Sequence, residues 1–373
     1  MQKTLRNYFK GYWLIITATL FVLCAFTGIG GIILQDEPMG FKPADYYIAN
    51  VIDERSNKSN IAQLINLLPG NKLYTGTQQL DLQGGAATAV GKFINHNLPQ
   101  NKSLKAVNII IKEFKLTETP MGASRIDGQL KLRLAFGLEK DYGTQLLVEY
   151  KGGLHYVRSI NSVVAIEPYL RSSLKSSLQF FNNWMQTNQT ENAKLAQNVK
   201  IIFNDYTENA EGDTIYYTAN RPLSWKDFQG KAPNNTPYAA GVMPSIGYNQ
   251  HAKVVNGTII VYVDMKTSLP KSTCWAKPFA KDDYNLNHEQ RHFDIAQIIA
   301  GQFKQKILAQ QLTPDNYEAI INMQYLDSYR DLYEMQKAYD KETGNGTRQQ
   351  LQQEWNEKID KQLLTKASST AAM

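Results

Sequence analysis

Residues 287–303 read NHEQRHFDIAQIIAGQF, and this stretch decides the fold of the C-terminal part of the chain. Apolar residues recur in it at helical spacing, at Phe293, Ala296, Ile299 and Phe303. That spacing predicts a helix with one apolar face. In such a helix His288 and His292 lie one turn apart, about 40° around the axis, so both imidazoles project from one face.

Two neutral imidazoles at this spacing can bind one zinc ion, which predicts Zn²⁺ as the cofactor and His288 and His292 as its ligands. Glu289 lies about 100° from His288 and about 60° from His292 around the helix, close to the same face. A glutamate there can take a proton from a water that the metal activates. The motif therefore predicts Glu289 as the general base of a zinc hydrolase.

A catalytic zinc usually has three protein ligands, and the sequence leaves the third one open. The candidates are carboxylates of the following helix and one upstream histidine, namely Glu318, Asp327, Asp331, Glu334, Asp340, Glu342 and His251. Cys274 could bind as a thiolate, but a lone cysteine beside a tryptophan is more typical of a small buried apolar residue. Asp294 faces about 200° away from His292 and is expected to be structural.

The segments around the motif predict an α+β domain over residues 198–366. Strands are expected at 200–203, 214–218 and 258–263. The motif helix is expected to end near residue 311, and Thr313 is expected to cap a second helix that ends near Gly344. A last helix is predicted over 348–364. The strand Thr258–Val263 is either an edge strand that pairs with an extended peptide substrate or a strand inside the sheet.

Residues 36–190 predict a second α+β domain, whose role the sequence leaves open. Helical spacing is present at 57–68, 86–98 and 169–187, and alternation of apolar residues predicts three strands near 107–111, 130–136 and 146–150. Three such strands predict an antiparallel sheet. The polar stretch 186–198 is interpreted as the linker between the domains.

The N-terminal segment predicts membrane targeting. Lys3, Arg6 and Lys10 precede an uncharged apolar run from Trp13 to Leu34, and acidic residues follow it directly. This order is typical of a signal peptide or a membrane anchor over residues 1–35. Either form places the remaining chain outside the cytoplasm, which makes it periplasmic, membrane-anchored or secreted.

Composition excludes several classes of protein. The chain has 373 residues, and its formal net charge of +6 includes the three positive charges at the N-terminus. It contains no lysine and arginine run of the kind that binds phosphates, so nucleic acid is not an expected partner. Its two cysteines exclude both a disulfide scaffold and a cysteine-rich zinc site.

Residues 221–356 resemble a bacterial family of uncharacterised proteins described as predicted secreted zinc-dependent proteases. The matching stretches are LSWKDFQGK (223–231), AAGVMPSIGY (239–248), TCW (273–275), NHEQRHFDI (287–295), YDKET (339–343) and QQEW (352–355). The resemblance implies a zincin-like metallopeptidase with His288 and His292 as zinc ligands and Glu289 as the base. It does not extend to residues 36–190.

The chain departs from that family at one point. A histidine commonly follows the YDxxT stretch in the family, whereas this chain has Gly344-Asn345-Gly346. Asparagine is a poor zinc ligand, so the departure leaves Asp340 or Glu342 as alternatives.

The sequence therefore predicts an α+β protein with a targeting segment, a first domain containing an antiparallel sheet, and a zincin-like domain whose active-site helix is followed by further helices. The predicted function is extracytoplasmic, zinc-dependent hydrolysis of peptide bonds in a peptide or protein substrate of the cell envelope or elsewhere. The alternative is a catalytically inactive zincin-like envelope protein that acts in binding or assembly.

Overall fold

A computed structural model describes residues 31–67, 74–206 and 210–370 of the chain. Its contacts divide the chain into two compact units between Gln186 and Thr187. Residues 1–30, which hold nearly all of the predicted signal peptide or anchor, lie outside the described residues. Among the described residues, no helix combines the length and the apolar character that crossing a bilayer requires.

Over the residues that the structure describes, the first unit has a six-stranded sheet and two helices. Its strands are β1 (Tyr46–Asp53), β2 (Ala62–Leu67), β3 (Tyr74–Leu80), β4 (Lys105–Met121), β5 (Arg125–Lys140) and β6 (Gly143–Ser159). Its helices are α1 (Ala86–Asn97) and α2 (Glu167–Asn188). The helices predicted at 86–98 and 169–187 are therefore confirmed, and so are the three predicted strands.

The sheet of the first unit is mixed rather than antiparallel, which corrects the sequence prediction. β4, β5 and β6 pair antiparallel, as expected. However, β1 and β2 both run parallel to β4 and pair with successive stretches of its other edge. The central strand β4 is therefore covered on both edges.

The helix predicted at residues 57–68 is wrong, because residues 62–67 form strand β2. The apolar residues there have helical spacing, but β2 pairs antiparallel with β3 along its length and parallel with β4 at Ala62 and Gln63. These pairings give its backbone hydrogen-bond partners that local spacing does not encode.

Helix α2 packs on the first sheet through aromatic rings. Phe181 stacks on Phe136 of β5, with ring centroids 4.3 Å apart, and meets Tyr46 of β1 edge to face. Tyr169 stacks on Tyr156 of β6. Large aromatic side chains dominate the burial energy of such a core, so these rings attach the helix to the sheet.

In its described residues, the second unit has a five-stranded mixed sheet, a separate two-stranded sheet and three helices. Its strands are β7 (Asn198–Asp205), β8 (Ala210–Glu211), β9 (Thr214–Tyr216), β10 (Ala240–Gly241), β11 (Ser245–Val255), β12 (Thr258–Pro270) and β13 (Trp275–Ala276). Its helices are α3 (Asp283–Leu308), α4 (Tyr317–Thr343) and α5 (Gln349–Thr370). The chain as a whole is therefore α+β, as predicted.

Strand β12 lies inside its sheet. It pairs with β11 on one edge and with β7 and β9 on the other. The hypothesis that residues 258–263 form a substrate-binding edge strand is therefore wrong. Alternate residues of β12 are buried, and Val261, Val263 and Met265 share a core with Ile295 and Ile299 of α3. This packing holds α3 against the sheet.

Helix α4 begins later than predicted. Thr313 was expected to be its N-cap, but the helix starts at Tyr317 after Asn316. The Asn316 side chain accepts a hydrogen bond from the backbone N–H of Thr313 instead. The helix ends at Gly344, which adopts the left-handed conformation that commonly ends helices and that glycine tolerates.

Candidate metal centre

Helix α3 carries His288 and His292 on one buried face. The side chains of the two residues are 8% and 11% exposed, and their ring centroids lie 5.0 Å apart. Tyr339 of α4 stacks on the His288 ring at 4.8 Å and meets the His292 ring edge-on at 4.9 Å. A ring that contacts both imidazoles restricts the rotation of each, so the pair is held in one arrangement.

Helix α4 brings Asp340 to the same point. The Asp340 Oδ1 atom lies 3.0 Å from Nε2 of His292 and 3.4 Å from Nε2 of His288. The ligand atoms of the three residues all lie within 4.8 Å of one another. Among the described residues, this is the only group of three or more histidine, cysteine and acidic side chains that is arranged to hold a metal ion.

The opposite nitrogen of each imidazole contacts a glutamine. His288 Nδ1 lies 2.9 Å from Oε1 of Gln352, which belongs to α5. His292 Nδ1 is hydrogen-bonded to Oε1 of Gln336, which belongs to α4. Three helices therefore meet at the site, and each imidazole is held at both of its nitrogens.

The turn between α4 and α5 packs directly on the site. A Cβ atom added to Gly346 would lie 3.3 Å from the His288 ring, and the residue has a φ of +82°. Its carbonyl accepts a hydrogen bond from the Tyr284 hydroxyl at 2.7 Å. Glycine suits this position because it provides both the backbone conformation and the space.

Glu289 is buried beside the histidines, with the residue only 5% exposed. Burial raises the pKa of its carboxyl above the usual value, and nearby Asp340 adds to the rise. The neighbouring histidines and a hydrogen bond from the Val242 backbone lower it only in part. A carboxylate with a raised pKa is a stronger base than an exposed one.

His292 and Asp340 shift each other's ionisation. Burial by itself would raise the pKa of Asp340, but hydrogen bonds from His288 and His292 hold it well below its usual range. Burial by itself would lower the pKa of His292, but the hydrogen bond to Asp340 and the charges of Asp340 and Glu289 raise it. The site therefore favours positive charge between these side chains.

The other residues considered as a third ligand lie elsewhere or are engaged. Glu342 accepts a hydrogen bond from the Trp355 indole at 2.8 Å. Glu318 accepts one from Tyr317 in the first turn of α4. His251 stacks on Tyr262, out in strand β11.

Cys274 and Asn345 also lie outside the group. Cys274 is fully buried, its thiol contacts the carbonyl of Pro270, and burial raises its pKa to about 12. This matches the small buried apolar residue that the sequence suggested. Asn345 is exposed in the turn after α4, with a φ of +53°.

Three further polar side chains, those of Tyr248, Tyr339 and Arg291, each have a protein partner. The Tyr248 hydroxyl donates to Asn322 at 2.6 Å, and the Tyr339 hydroxyl donates to the carbonyl of His288 at 3.3 Å. Arg291 binds the carboxylates of Asp294 and Asp360. In this arrangement all three side chains support the structure around the site.

Sequence reasoning missed Gln336 and Gln352. Both side chains act through hydrogen bonds to another residue, so neither belongs to a metal-binding motif. A usable signal existed for Gln336, which precedes Asp340 by one helical turn and so shares its face. Gln352 lies in the QQEW stretch, but only the packing of α5 brings it to His288.

Comparisons with known proteins add little. No protein-family model and no curated protein match the chain. Among solved structures, protein XCC0632 from Xanthomonas campestris, of family DUF330, is 13% identical with a TM-score of 0.28, over 44% of this chain and 100% of that one. An uncharacterized protein is 6% identical with a TM-score of 0.21, over 42% of this chain and 99% of that one. Scores this low support no conclusion about fold or function.

Proposed function

We propose that the chain is a zinc-dependent peptidase in which His288, His292 and Asp340 hold the metal and Glu289 is the general base. One observation carries the proposal: two imidazole Nε2 atoms converge on one carboxylate oxygen, at 3.0 and 3.4 Å. Two histidines and one carboxylate are a common ligand set of catalytic zinc.

The donor atoms fit zinc in type and in spacing. Ligand atoms at the usual distance from a tetrahedral zinc lie about 3.3 Å apart, close to both observed separations. The Asp340 side chain is 40% exposed, whereas both histidines are buried. The group therefore has one side open toward solvent, which a catalytic metal needs in order to receive substrate.

Zinc bound there would polarise the scissile carbonyl and activate a water for attack. Glu289 would take the proton of that water, since its carboxyl is buried beside both histidines and has a raised pKa. It would then pass the proton to the leaving amine, which completes hydrolysis of the peptide bond. The hydrogen bond from the Val242 backbone orients the Glu289 carboxyl for this role.

The location and substrate class follow from the N-terminal sequence pattern. Positive charges followed by an uncharged apolar run direct a chain to the membrane, so we place this one outside the cytoplasm. Its substrate is then an extracytoplasmic peptide or protein, including peptides of the cell envelope.

Metal content tests the zinc site. Elemental analysis of the purified full-length protein should find about one zinc per chain, and a His288→Ala variant should lose it. His251→Ala is the matched control, because that histidine is stacked on Tyr262 in β11, and it should keep the metal. Wild-type protein without zinc after incubation with the ion would contradict the proposal.

Substitution of the base tests the mechanism. Glu289→Gln should retain zinc and lower hydrolysis of a labelled unfolded protein, or of purified cell-wall peptide, by at least about 100-fold. Glu318→Gln, in the first turn of α4, should leave the rate unchanged. Full activity of Glu289→Gln would overturn the mechanism, and a wild type that binds zinc without hydrolysing either substrate would favour the inactive binding protein.

A further inference from the structure

We infer that Gln336 and Gln352 are positioning residues that hold both site histidines with the proton on Nδ1 and the lone pair on Nε2, facing Asp340. The inference deepens the proposed function and rests on it for the identity of the metal. It concerns which nitrogen of each ring carries the proton, and the hydrogen-bond partners of the two glutamines determine that.

The hydrogen bonds of Gln336 determine the proton position on His292. The Gln336 Nε2 amide donates to the backbone carbonyl of His292 at 2.9 Å. A carbonyl can only accept, so the amide NH₂ must face it and Oε1 must face the imidazole. Because Oε1 also only accepts, His292 Nδ1 must carry a hydrogen in order to bond with it.

The hydrogen bonds of Gln352 determine the proton position on His288 through a longer chain. The Arg291 guanidinium, which can only donate, contacts Oδ1 of Asn356 at 3.1 Å. The same Asn356 Oδ1 atom lies 3.0 Å from Nε2 of Gln352, so the NH₂ group of Gln352 faces Asn356. Oε1 of Gln352 then faces His288 Nδ1 at 2.9 Å, and this nitrogen must donate.

Tyr339 strengthens the orientation of Gln352. Its hydroxyl hydrogen points to the carbonyl of His288, which leaves its oxygen to accept from Gln352 Nε2 at 2.6 Å. Gln352 is 1% exposed, so water does not compete for these bonds. The amide therefore has two acceptors on its NH₂ side and one donor, the imidazole, on its oxygen side.

When the imidazoles are neutral, the consequence is a group of acceptors without a donor among them. With both Nδ1 atoms protonated, the two Nε2 lone pairs and the Asp340 carboxylate point at one another across 3.0 and 3.4 Å. Such an arrangement is stable only with positive charge between the atoms, either protons or a metal ion. The glutamines thus preorganise the site for a cation, and they do so without adding negative charge as a carboxylate partner would.

Zinc affinity of glutamine variants tests the inference. Gln352→Leu and Gln336→Leu remove the acceptor, and each should weaken zinc binding by about 10–100-fold in competition with a chromophoric chelator. Gln352→Glu keeps the acceptor oxygen that faces Nδ1 of His288, although it loses the amide donor, and it should bind zinc more tightly than Gln352→Leu. Gln353→Leu is the control, because Gln353 is exposed on the same helix and should bind zinc like the wild type.

Nitrogen-15 NMR of the metal-free protein tests the proton position directly, at a pH where the histidines are neutral. Wild-type His288 and His292 should both carry the proton on Nδ1, and Gln352→Leu should show a mixture at His288. A wild type with the proton on Nε2, or unchanged zinc affinity in both folded leucine variants, would overturn the inference. If wild type binds no zinc, the proposed function fails, while the NMR result still decides this inference.

Discussion

Each unit places a carboxylate among ionisable groups, and the two carboxylates have opposite surroundings. Glu118 in the first unit accepts four hydrogen bonds, two from Arg158 and one each from Tyr156 and the Ile65 backbone, at 2.6–2.9 Å. Asp340 in the second unit faces two imidazole nitrogens instead. The balance of donors and acceptors thus separates a structural ion pair from the proposed cation site.

The cluster around Glu118 in the first unit needs no ligand to complete its hydrogen bonds. Glu118 and Arg158 have side chains that are 1% and 8% exposed, and their contacts join β2, β4 and β6. The cluster around Asp340 in the second unit lacks hydrogen-bond donors when the glutamines hold both neutral imidazoles with the proton on Nδ1. A buried polar group without a partner costs free energy, so the difference predicts that only the second cluster gains from added positive charge.

The largest expected effect is a loss of stability when Arg158, the charged donor to Glu118, is removed. Arg158→Leu leaves Glu118 buried without its charged partner, so the free energy of unfolding should fall by about 3–5 kcal/mol in urea denaturation. The double variant with Glu118→Leu should recover part of that loss, because it leaves no buried charge. Arg125→Leu, at an exposed position, should change stability by less than about 0.5 kcal/mol. A loss at Arg158 no larger than that would contradict the structural role.

The next effect concerns the metal. Asp340→Asn should weaken zinc binding by more than about 100-fold, because a ligand contributes more than its supporting hydrogen bonds do. Glu342→Gln is the matched control, since that carboxylate is two residues away and contacts Trp355. Isothermal titration calorimetry with zinc would compare the two. Equal losses in both variants, or a loss confined to Glu342→Gln, would show that the third ligand is misassigned.

The smallest expected effect is the pH dependence of the stability that Glu118 contributes. Burial alone would raise the pKa of Glu118, but hydrogen bonds from Arg158, Ile65 and Tyr156 lower it below its usual value. A lowered pKa contributes stability that is present above about pH 4.5 and is lost as the pH falls through the folded value. The difference in unfolding free energy between wild type and Glu118→Gln should therefore shrink between pH 6 and pH 3, by about 1.4 kcal/mol for each pKa unit. A difference that is constant across this range would contradict the assignment.

Local sequence patterns predicted elements that bury one regular face. The run of β-branched and aromatic residues in Thr258–Val263 and the helical spacing in 169–187 both correspond to elements of the structure. The same reasoning failed at 57–68, where helical spacing occurs in strand β2. The error has a physical cause, because strand pairing depends on β3 and β4, which are separate segments of the sequence.

The prediction of the metal site also has one part that local sequence supports and one part that it does not. His288 and His292 lie four residues apart, so a single helix brings them together whatever surrounds it. Glu289 follows from the same local geometry. The choice of Asp340 over Glu342 does not, because both carboxylates stand in the last turns of α4 and only one faces α3.

The sequence alone determined that this protein has an α+β chain with two histidines and a glutamate on one helix. It did so because helix periodicity is a property of the local backbone. Tertiary structure decided which carboxylate joins them and which glutamines hold their far nitrogens. Those contacts depend on how α4 and α5 rotate and pack against α3, and side-chain packing between distant segments sets that rotation.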